Sequence, residues 1–360
     1  LPFTNGGYVE LNRDFSGVEI NIKDKSQNFE WIVGTSIQDQ KDDRKRFENN
    51  EGEKGAITLD QIESFRSYGA FALASYNKEN YSIQSGVRFD LHEISLDDNV
   101  GIDQQYVEYS KSLRAFSPNL GFIYNLNKND EVYINYGKSY ETPSLSELSA
   151  NPNGVGFNGD LNPMNSSGFD LGFRNKSQNL SYSITAFYIN TKDEIVRYEL
   201  EGFEGMNFYR NLGTSKRIGT EMEVSYNLGN SGVLNASYTQ AKYEFKNQEV
   251  SGDLPGIPKS NFALKWLYGY KDFDLKLDLK YVNSLYADNN NEVKVPSYLL
   301  SNIALKNKFN FKGFFLEVGL HVRNLLDEKY YDNIRTNAFG NRFYEPASLR
   351  SFILSIKTTF

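Results

Sequence analysis

The sequence contains no cysteine and only two histidines, His92 and His321, which lie far apart along its 360 residues. The missing thiols exclude disulfide bonds and thiolate metal sites. A protein metal site needs three or four convergent ligands, so two separated histidines are better interpreted as ordinary hydrogen-bonded side chains. The sequence therefore predicts no metal site, no cofactor and no catalytic residue, and we do not expect an enzyme.

The sequence also lacks any run of about 18 apolar residues, which excludes a helical membrane protein. The mean hydropathy of -0.56 does not exclude a membrane protein built from strands, because each such strand turns only alternate residues toward lipid. Charges of both signs are spread along the chain, with a net charge of -7. We therefore do not expect nucleic acid as a partner, since the sequence shows no basic stripe.

Aromatic residues are abundant, with 25 tyrosines and 26 phenylalanines, and they favour strands and membrane interfaces. Residues 273–281 alternate Phe, Leu or Tyr with Asp or Lys, and residues 81–92, 314–323 and 351–360 show similar alternation. This pattern predicts strands with an apolar face and a polar face. The charged face suits a wet interior, because charges at every second residue would be costly in the dry core of a soluble sandwich.

The predicted connections alternate between short and long. Short polar connections are predicted at residues 24–27, 77–80, 127–129, 176–179, 229–232, 270–272 and 309–311. Long connections are predicted at residues 39–65, 94–111, 142–165, 191–216, 245–258, 286–296 and 327–343. Strict alternation is typical of transmembrane barrels, which have short turns on one side and long loops on the other. We predict an all-β, transmembrane antiparallel β-barrel with about sixteen strands in this chain, including a weak first strand at 6–12.

Two segments near the C-terminus carry a family resemblance. Residues 324–331 (NLLDEKYY) and 342–352 (RFYEPASLRSF) resemble motifs that lead into the last strand of TonB-dependent outer-membrane receptors. Leu326 and Leu349 depart from the family, which more often has Phe and Gly there. Further segments are similar to segments of these receptors in the same order: residues 117–121, 136–148, 162–163, 211–213, 217–221 and 254–258.

The resemblance implies a receptor in the outer membrane of a Gram-negative bacterium that imports an iron-siderophore or similar metal chelate. Its implied partners are the TonB complex of the inner membrane, the chelate, outer-membrane lipid, and the barrel-assembly machinery acting through the terminal Phe360. Family members carry an N-terminal plug inside a barrel of about twenty-two strands. Residues 1–360 contain no plug-like segment, so we expect them to form the C-terminal part of such a barrel, with the plug and first strands absent from this chain and TonB acting through that missing region.

Other functions fit the strand pattern as well. A passive outer-membrane channel would show the same alternating connections, and a TonB-dependent importer could carry cobalamin, a glycan or a peptide. A soluble all-β binding or hydrolytic protein is a third class. The carboxylates of Glu221 and Glu223 do not favour hydrolysis, because same-face neighbours on a strand point in parallel instead of converging on a substrate.

Arginines and tyrosines in and beside the long connections are the candidate ligand-binding residues. Such side chains can hold a bulky anionic chelate by stacking and by charge-assisted hydrogen bonds. The alternative is ordinary packing of loops and interfacial aromatic residues. The candidates are Tyr140, Arg197, Tyr209, Arg210, Arg335 and Arg342.

Overall fold

The computed structural model describes residues 8–99, 108–154, 156–203, 205–246 and 251–359. Its strands are β1 (Tyr8–Lys25), β2 (Phe29–Asn50), β3 (Glu53–Asn77), β4 (Tyr81–Asp98), β5 (Glu108–Asn125), β6 (Asp130–Glu141), β7 (Met164–Lys176), β8 (Leu180–Lys192), β9 (Ile195–Tyr198), β10 (Phe208–Asn211), β11 (Thr214–Asn227), β12 (Val233–Lys246), β13 (Ser251–Asp253), β14 (Ser260–Tyr270), β15 (Phe273–Val282), β16 (Leu285–Tyr286), β17 (Lys294–Val295), β18 (Tyr298–Phe311), β19 (Phe314–Arg323), β20 (Tyr331–Ile334), β21 (Tyr344–Pro346) and β22 (Ser351–Thr359). The helical elements are α1 (Leu145–Ser149) and two 3-10 turns, Gly229–Ser231 and Phe339–Asn341.

One 16-stranded antiparallel sheet contains all the long strands. Its order follows the chain, and every member except β13 forms a single meander that begins at β1 and ends at β22. The short hairpins β9–β10, β16–β17 and β20–β21 stand apart from it, inside long connections. The predicted all-β antiparallel architecture is confirmed, while no pairing between β1 and β22 is present among the described residues.

The predicted first strand and first long connection are wrong. Residues 8–25 form one strand that pairs with β2 along its whole length, so no separate strand ends at residue 12. Residues 39–65 are also paired strand, and β2 and β3 meet at a tight turn at Glu51 and Gly52, both with positive φ. Both faces of this hairpin carry mostly polar side chains, so it lacks the regular apolar alternation on which the prediction depended. The last short turn lies at Lys312 and Gly313, just beyond the predicted 309–311.

The two faces of the sheet differ in polarity as predicted. Cross-strand partners share a face, and Leu277 lies opposite Trp266 while Asp278 lies opposite Lys265. On the polar face, Lys276 forms an ion pair of 2.9 Å with Asp278.

The apolar face has little cover from the protein itself. Leu354 and Ile356 on β22 are 66% and 65% exposed, and Phe89 on β4 is 57% exposed. Such a face requires an apolar environment outside the sheet. In the described residues, no helix is long and apolar enough to cross a membrane. The terminal Phe360, predicted to contact the assembly machinery, lies outside the described residues.

The face assignment predicts unequal effects at two neighbouring positions. Leu277→Arg should lower the free energy of unfolding by about 2 to 4 kcal/mol, because it would place a charge on the apolar face, which we expect to contact lipid. Lys276→Arg keeps a cation on the polar face and should change stability by less than about 0.5 kcal/mol. Urea unfolding of the complete protein in lipid vesicles measures both values. Equal losses at the two positions would contradict the assignment.

Candidate ligand-binding site

Because consecutive long strands are antiparallel, the long connections return to the same end of the sheet. The described parts of these connections pack against one another, and we call them the loop cluster: residues 142–154, 156–163, 193–203, 205–213, 251–259, 283–297 and 324–350. The ranges 142–163 and 193–213 denote only the described residues within them. The predicted candidate residues lie in this cluster or at its border.

The first connection of the loop cluster folds around helix α1. A capping box begins the helix, in which the Ser144 Oγ accepts from the Glu147 amide at 3.3 Å and the Glu147 carboxylate accepts from the Ser144 amide at 2.8 Å. The apolar face of the helix is buried against β4 and β5, in a cluster formed by Ile94, Leu96, Leu113, Leu145, Leu148, Phe157 and Leu161. Tyr140 and Tyr209 both pack against this cluster, which brings these two candidates together.

A buried ion pair ties this connection to the β2–β3 hairpin. Glu63 lies 2.7 Å from Arg44 and accepts a hydrogen bond of 2.6 Å from Gln61. Ser149, the last residue of α1, also donates to Glu63. The β2–β3 hairpin is therefore joined to helix α1 of the loop cluster by this hydrogen bond.

The hairpin β9–β10, within residues 193–213, places its candidate residues on two different faces. Arg197 pairs with Tyr209, and Arg210 pairs with Val196, which lies on the opposite face. The Arg210 guanidinium lies 5.1 Å from the centre of the Tyr198 ring, in a cation–π contact. Burial raises the pKa of Tyr209, and Glu147 raises it further while Arg197 opposes the shift. The alternation of the hairpin thus assigns Arg210 to a different surface from Arg197 and Tyr209.

Arg335 and Arg342 meet at a residue that the sequence analysis did not identify. The Glu199 Oε1 accepts from Arg335 Nη2 at 3.0 Å, and its Oε2 accepts from Arg342 Nη2 at 3.1 Å. The backbone amide of Phe339 donates to the same Oε2 at 3.2 Å. The Glu199 side chain is completely buried. It therefore joins residues 193–213 to residues 324–350.

Asn337 links these two connections to a third. Its Nδ2 donates to the Arg197 carbonyl at 2.9 Å, and its Oδ1 accepts from the Asn289 amide at 2.9 Å. Its own amide donates to the Ala287 carbonyl at 2.9 Å. The residue has a φ of 56°, a left-handed conformation that Asn tolerates better than most residues.

Asparagines also make the remaining links. Asn211 Nδ2 donates to the Asn162 carbonyl at 2.9 Å, which joins residues 193–213 to 142–163. Asn291 Nδ2 donates to the Asp253 carbonyl at 2.9 Å, and the Asp253 amide donates to Asn291 Oδ1 at 2.7 Å. These bonds join residues 283–297 to 251–259. All the connections of the loop cluster are thus joined by hydrogen bonds. The abundance of Asn in the long connections could be seen in the sequence. The hydrogen-bond partners of these asparagines could not, because they lie far away along the chain.

The histidines and the carboxylate pair take no part in a convergent centre. His92 stacks between Phe65 and Tyr140, with ring centres at 5.3 Å and 6.2 Å. Glu223 lines a cavity of about 650 Å³ against the polar face. Among the described residues, no group of three or more His, Cys, Asp or Glu side chains is arranged to hold a metal ion.

Comparisons with known proteins point to one family. Residues 3–325 match the family described as "TonB dependent receptor-like, beta-barrel". The catecholate siderophore receptor Fiu of Escherichia coli K12 is 25% identical over 264 residues, covering 71% of this chain and 34% of that protein. The ferrioxamine receptor of Yersinia enterocolitica is 23% identical over 219 residues, covering 58% of this chain and 29% of that protein.

A solved structure shows the same fold. The unliganded ferric citrate transporter FecA matches with a TM-score of 0.79 at 18% identity, covering 97% of this chain and 55% of that chain. The chain therefore spans about a third of the length of the curated relatives it matches, and about half of this solved structure.

Asn337→Ala tests the links within the loop cluster. It would remove the hydrogen bonds of Asn337 to the Arg197 carbonyl and the Asn289 amide and place Ala in a left-handed conformation, at a cost of about 1 to 3 kcal/mol. We expect faster hydrogen–deuterium exchange in residues 193–213 and 283–297 of the complete protein. Asn333→Ala is the control, because the exposed Asn333 donates to Glu345 within its own connection. Unchanged exchange in both variants would show that the connections are held independently.

Proposed function

We propose a function from one established premise: this chain belongs to the TonB dependent receptor-like β-barrel family. The proposed function is import of an iron-siderophore or similar metal chelate across the outer membrane of a Gram-negative bacterium, without catalysis of a reaction. The observation that carries this proposal is the loop cluster, which places arginines and tyrosines at one end of a sheet with a polar face.

The distribution of polarity supports a role in transport. The exposed apolar face suits contact with outer-membrane lipid, and the polar face suits an aqueous interior. The loop cluster lies at the end where all long connections return, so a ligand held there would lie over the interior. Arginine and tyrosine side chains are suited to an anionic, aromatic chelate. A catecholate siderophore, the ligand named for the relative Fiu, is such a chelate.

The proposal for partners follows from the family and from the coverage of the relatives. We propose that residues 1–360 supply the C-terminal part of the barrel, and that the plug and first strands are supplied by sequence outside them. The TonB complex would act through that other region, because the described residues form strands and their connections. The proposed contact of Phe360 with the barrel-assembly machinery remains a prediction from the family resemblance.

Uptake by living cells tests the function. Iron-limited cells that carry the complete gene should accumulate iron-55 from a ferric catecholate complex, and deletion of either this gene or the TonB gene should abolish that accumulation. Labelled cobalamin, offered to the same strains, should enter equally with and without the gene. Accumulation of cobalamin instead of iron would replace the proposed ligand class, and uptake of either that persists without TonB would favour a passive channel.

Arg210→Ala tests whether the exposed Arg210 side chain on the β9–β10 hairpin contributes to binding. Loss of one charge-assisted hydrogen bond to an anionic chelate should weaken binding by about 1.5 to 3 kcal/mol, or roughly 10- to 150-fold. Lys128→Ala, in a short turn at the other end of the sheet, is the control and should bind as the parent does. Equilibrium titration of the complete protein with the ferric complex measures both. Equal affinities would assign Arg210 to packing on Tyr198.

A further inference from the structure

The buried carboxylate of Glu199 is surrounded by donors from two connections that are far apart in sequence. Arg335, Arg342 and the Phe339 amide come from residues 324–350, and the Gly205 amide donates at 3.4 Å from the same connection as Glu199. One oxygen accepts from Arg335 and the other from Arg342, so only the width of one carboxylate separates the two guanidinium groups.

Burial differs sharply between the acid and its partners. The Glu199 side chain is 0% exposed, whereas those of Arg335 and Arg342 are 27% and 45% exposed. A guanidinium carries five N–H donors, and Glu199 binds the Nη2 nitrogen of each arginine. Arg342 Nε also donates to the Phe339 carbonyl at 3.3 Å. Each guanidinium still carries N–H donors beyond these bonds. Two positive charges and one negative charge leave the group cationic toward solvent.

Exposed apolar side chains border this group. Phe203, Met206 and Phe339 are 50%, 42% and 38% exposed. The amides of Gly205 and Phe339 bind the same oxygen of Glu199, so the segments that carry these side chains meet at the carboxylate. The surface thus combines two directed cations with an apolar rim, which suits an oxyanion attached to an aromatic body.

We propose that Arg335 and Arg342 form one binding site for the oxyanion of an aromatic ligand, and that Glu199 is the positioning residue that holds them. This inference rests on the proposed function, since it identifies the part of the chelate that the loop cluster recognises. Without a negative charge between them, the two guanidinium groups would repel each other and separate. Glu199 thus acts on the ligand through the arginines.

The site also distinguishes among the candidate residues. Tyr140 and Tyr209 pack against the apolar cluster around α1, and Arg210 lies on the other face of its hairpin. Arg335 and Arg342 are the candidates whose guanidinium groups share one partner. A ligand bound to both would add a second bridge between residues 193–213 and 324–350, beside the one that Glu199 already makes.

Chemical rescue tests the proposal in the complete protein. Glu199→Ala should weaken binding of 2,3-dihydroxybenzoate, a metal-free aromatic oxyanion, by at least about tenfold. Arg335→Ala and Arg342→Ala should each cause a similar loss. Sodium acetate can replace the missing carboxylate and should restore the affinity of Glu199→Ala, while sodium chloride at the same ionic strength should not. Acetate should restore the affinity of neither arginine variant.

Hydrogen–deuterium exchange provides a second measurement without any aromatic ligand. Residues 193–213 and 324–350 should exchange faster in Glu199→Ala and recover their protection in acetate. Glu345→Ala is the control, because it removes an exposed carboxylate from residues 324–350, the connection that carries both arginines. It should show neither the loss of affinity nor the response to acetate.

The outcomes separate this inference from the proposed function. Parental affinity for 2,3-dihydroxybenzoate in Glu199→Ala, or a loss that acetate fails to reverse, would overturn the positioning role. No binding of this oxyanion by the parent would overturn the site itself. If the oxyanion binds and acetate rescues the variant while cells accumulate no iron from the ferric complex, the site stands and the proposed import of iron chelates fails.

Discussion

Pairing between consecutive long strands is the constraint on which the rest of this structure depends. Every backbone amide and carbonyl of a strand inside the sheet needs a partner on a neighbour, and a meander supplies it from the nearest segments of the chain. Antiparallel order then sends successive connections to opposite ends, so the long ones assemble together. It also divides side chains between an apolar face and a polar face, because the period of a strand is two residues. The loop cluster and the proposed membrane surface are both consequences of this pairing.

Within and beside the loop cluster, buried acids recur as the means of holding segments together. Glu63 binds Arg44 and Ser149, Glu194 binds Arg217 at 2.7 Å, and Glu199 binds two arginines. A buried ion pair adds little net stability compared with apolar packing, but loss of one partner costs about 3 to 5 kcal/mol because a charge is left buried. Such pairs therefore specify which segments meet. That specificity suits connections that lack a regular hydrogen-bonding ladder of their own.

The sequence pattern predicted the strands that have one apolar and one polar face better than it predicted the polar β2–β3 hairpin. Residues 273–281 alternate apolar and charged side chains, and the structure confirms that these two sets lie on opposite faces of the sheet. In the β2–β3 hairpin both faces are polar, with Arg44 and Glu63 paired on one of them. Pairing continues there without apolar alternation, so a method based on hydrophobic period interprets the hairpin as a loop. The first strand was divided because its apolar side chains change from odd positions to even positions along β1, so no single alternation covers the whole strand.

The sequence by itself determined the strands that alternate, their two faces, the side of each connection and the types of side chain that long connections carry. Local periodicity is sufficient for these features, because each depends on residues that are neighbours in the chain. Only the tertiary structure decided which candidates meet. Glu199 lies 136 residues from Arg335 and 143 from Arg342, and Asn337 lies 140 from Arg197. Contacts over such separations depend on how irregular connections pack at the end of the sheet, for which no periodic signal exists in the sequence.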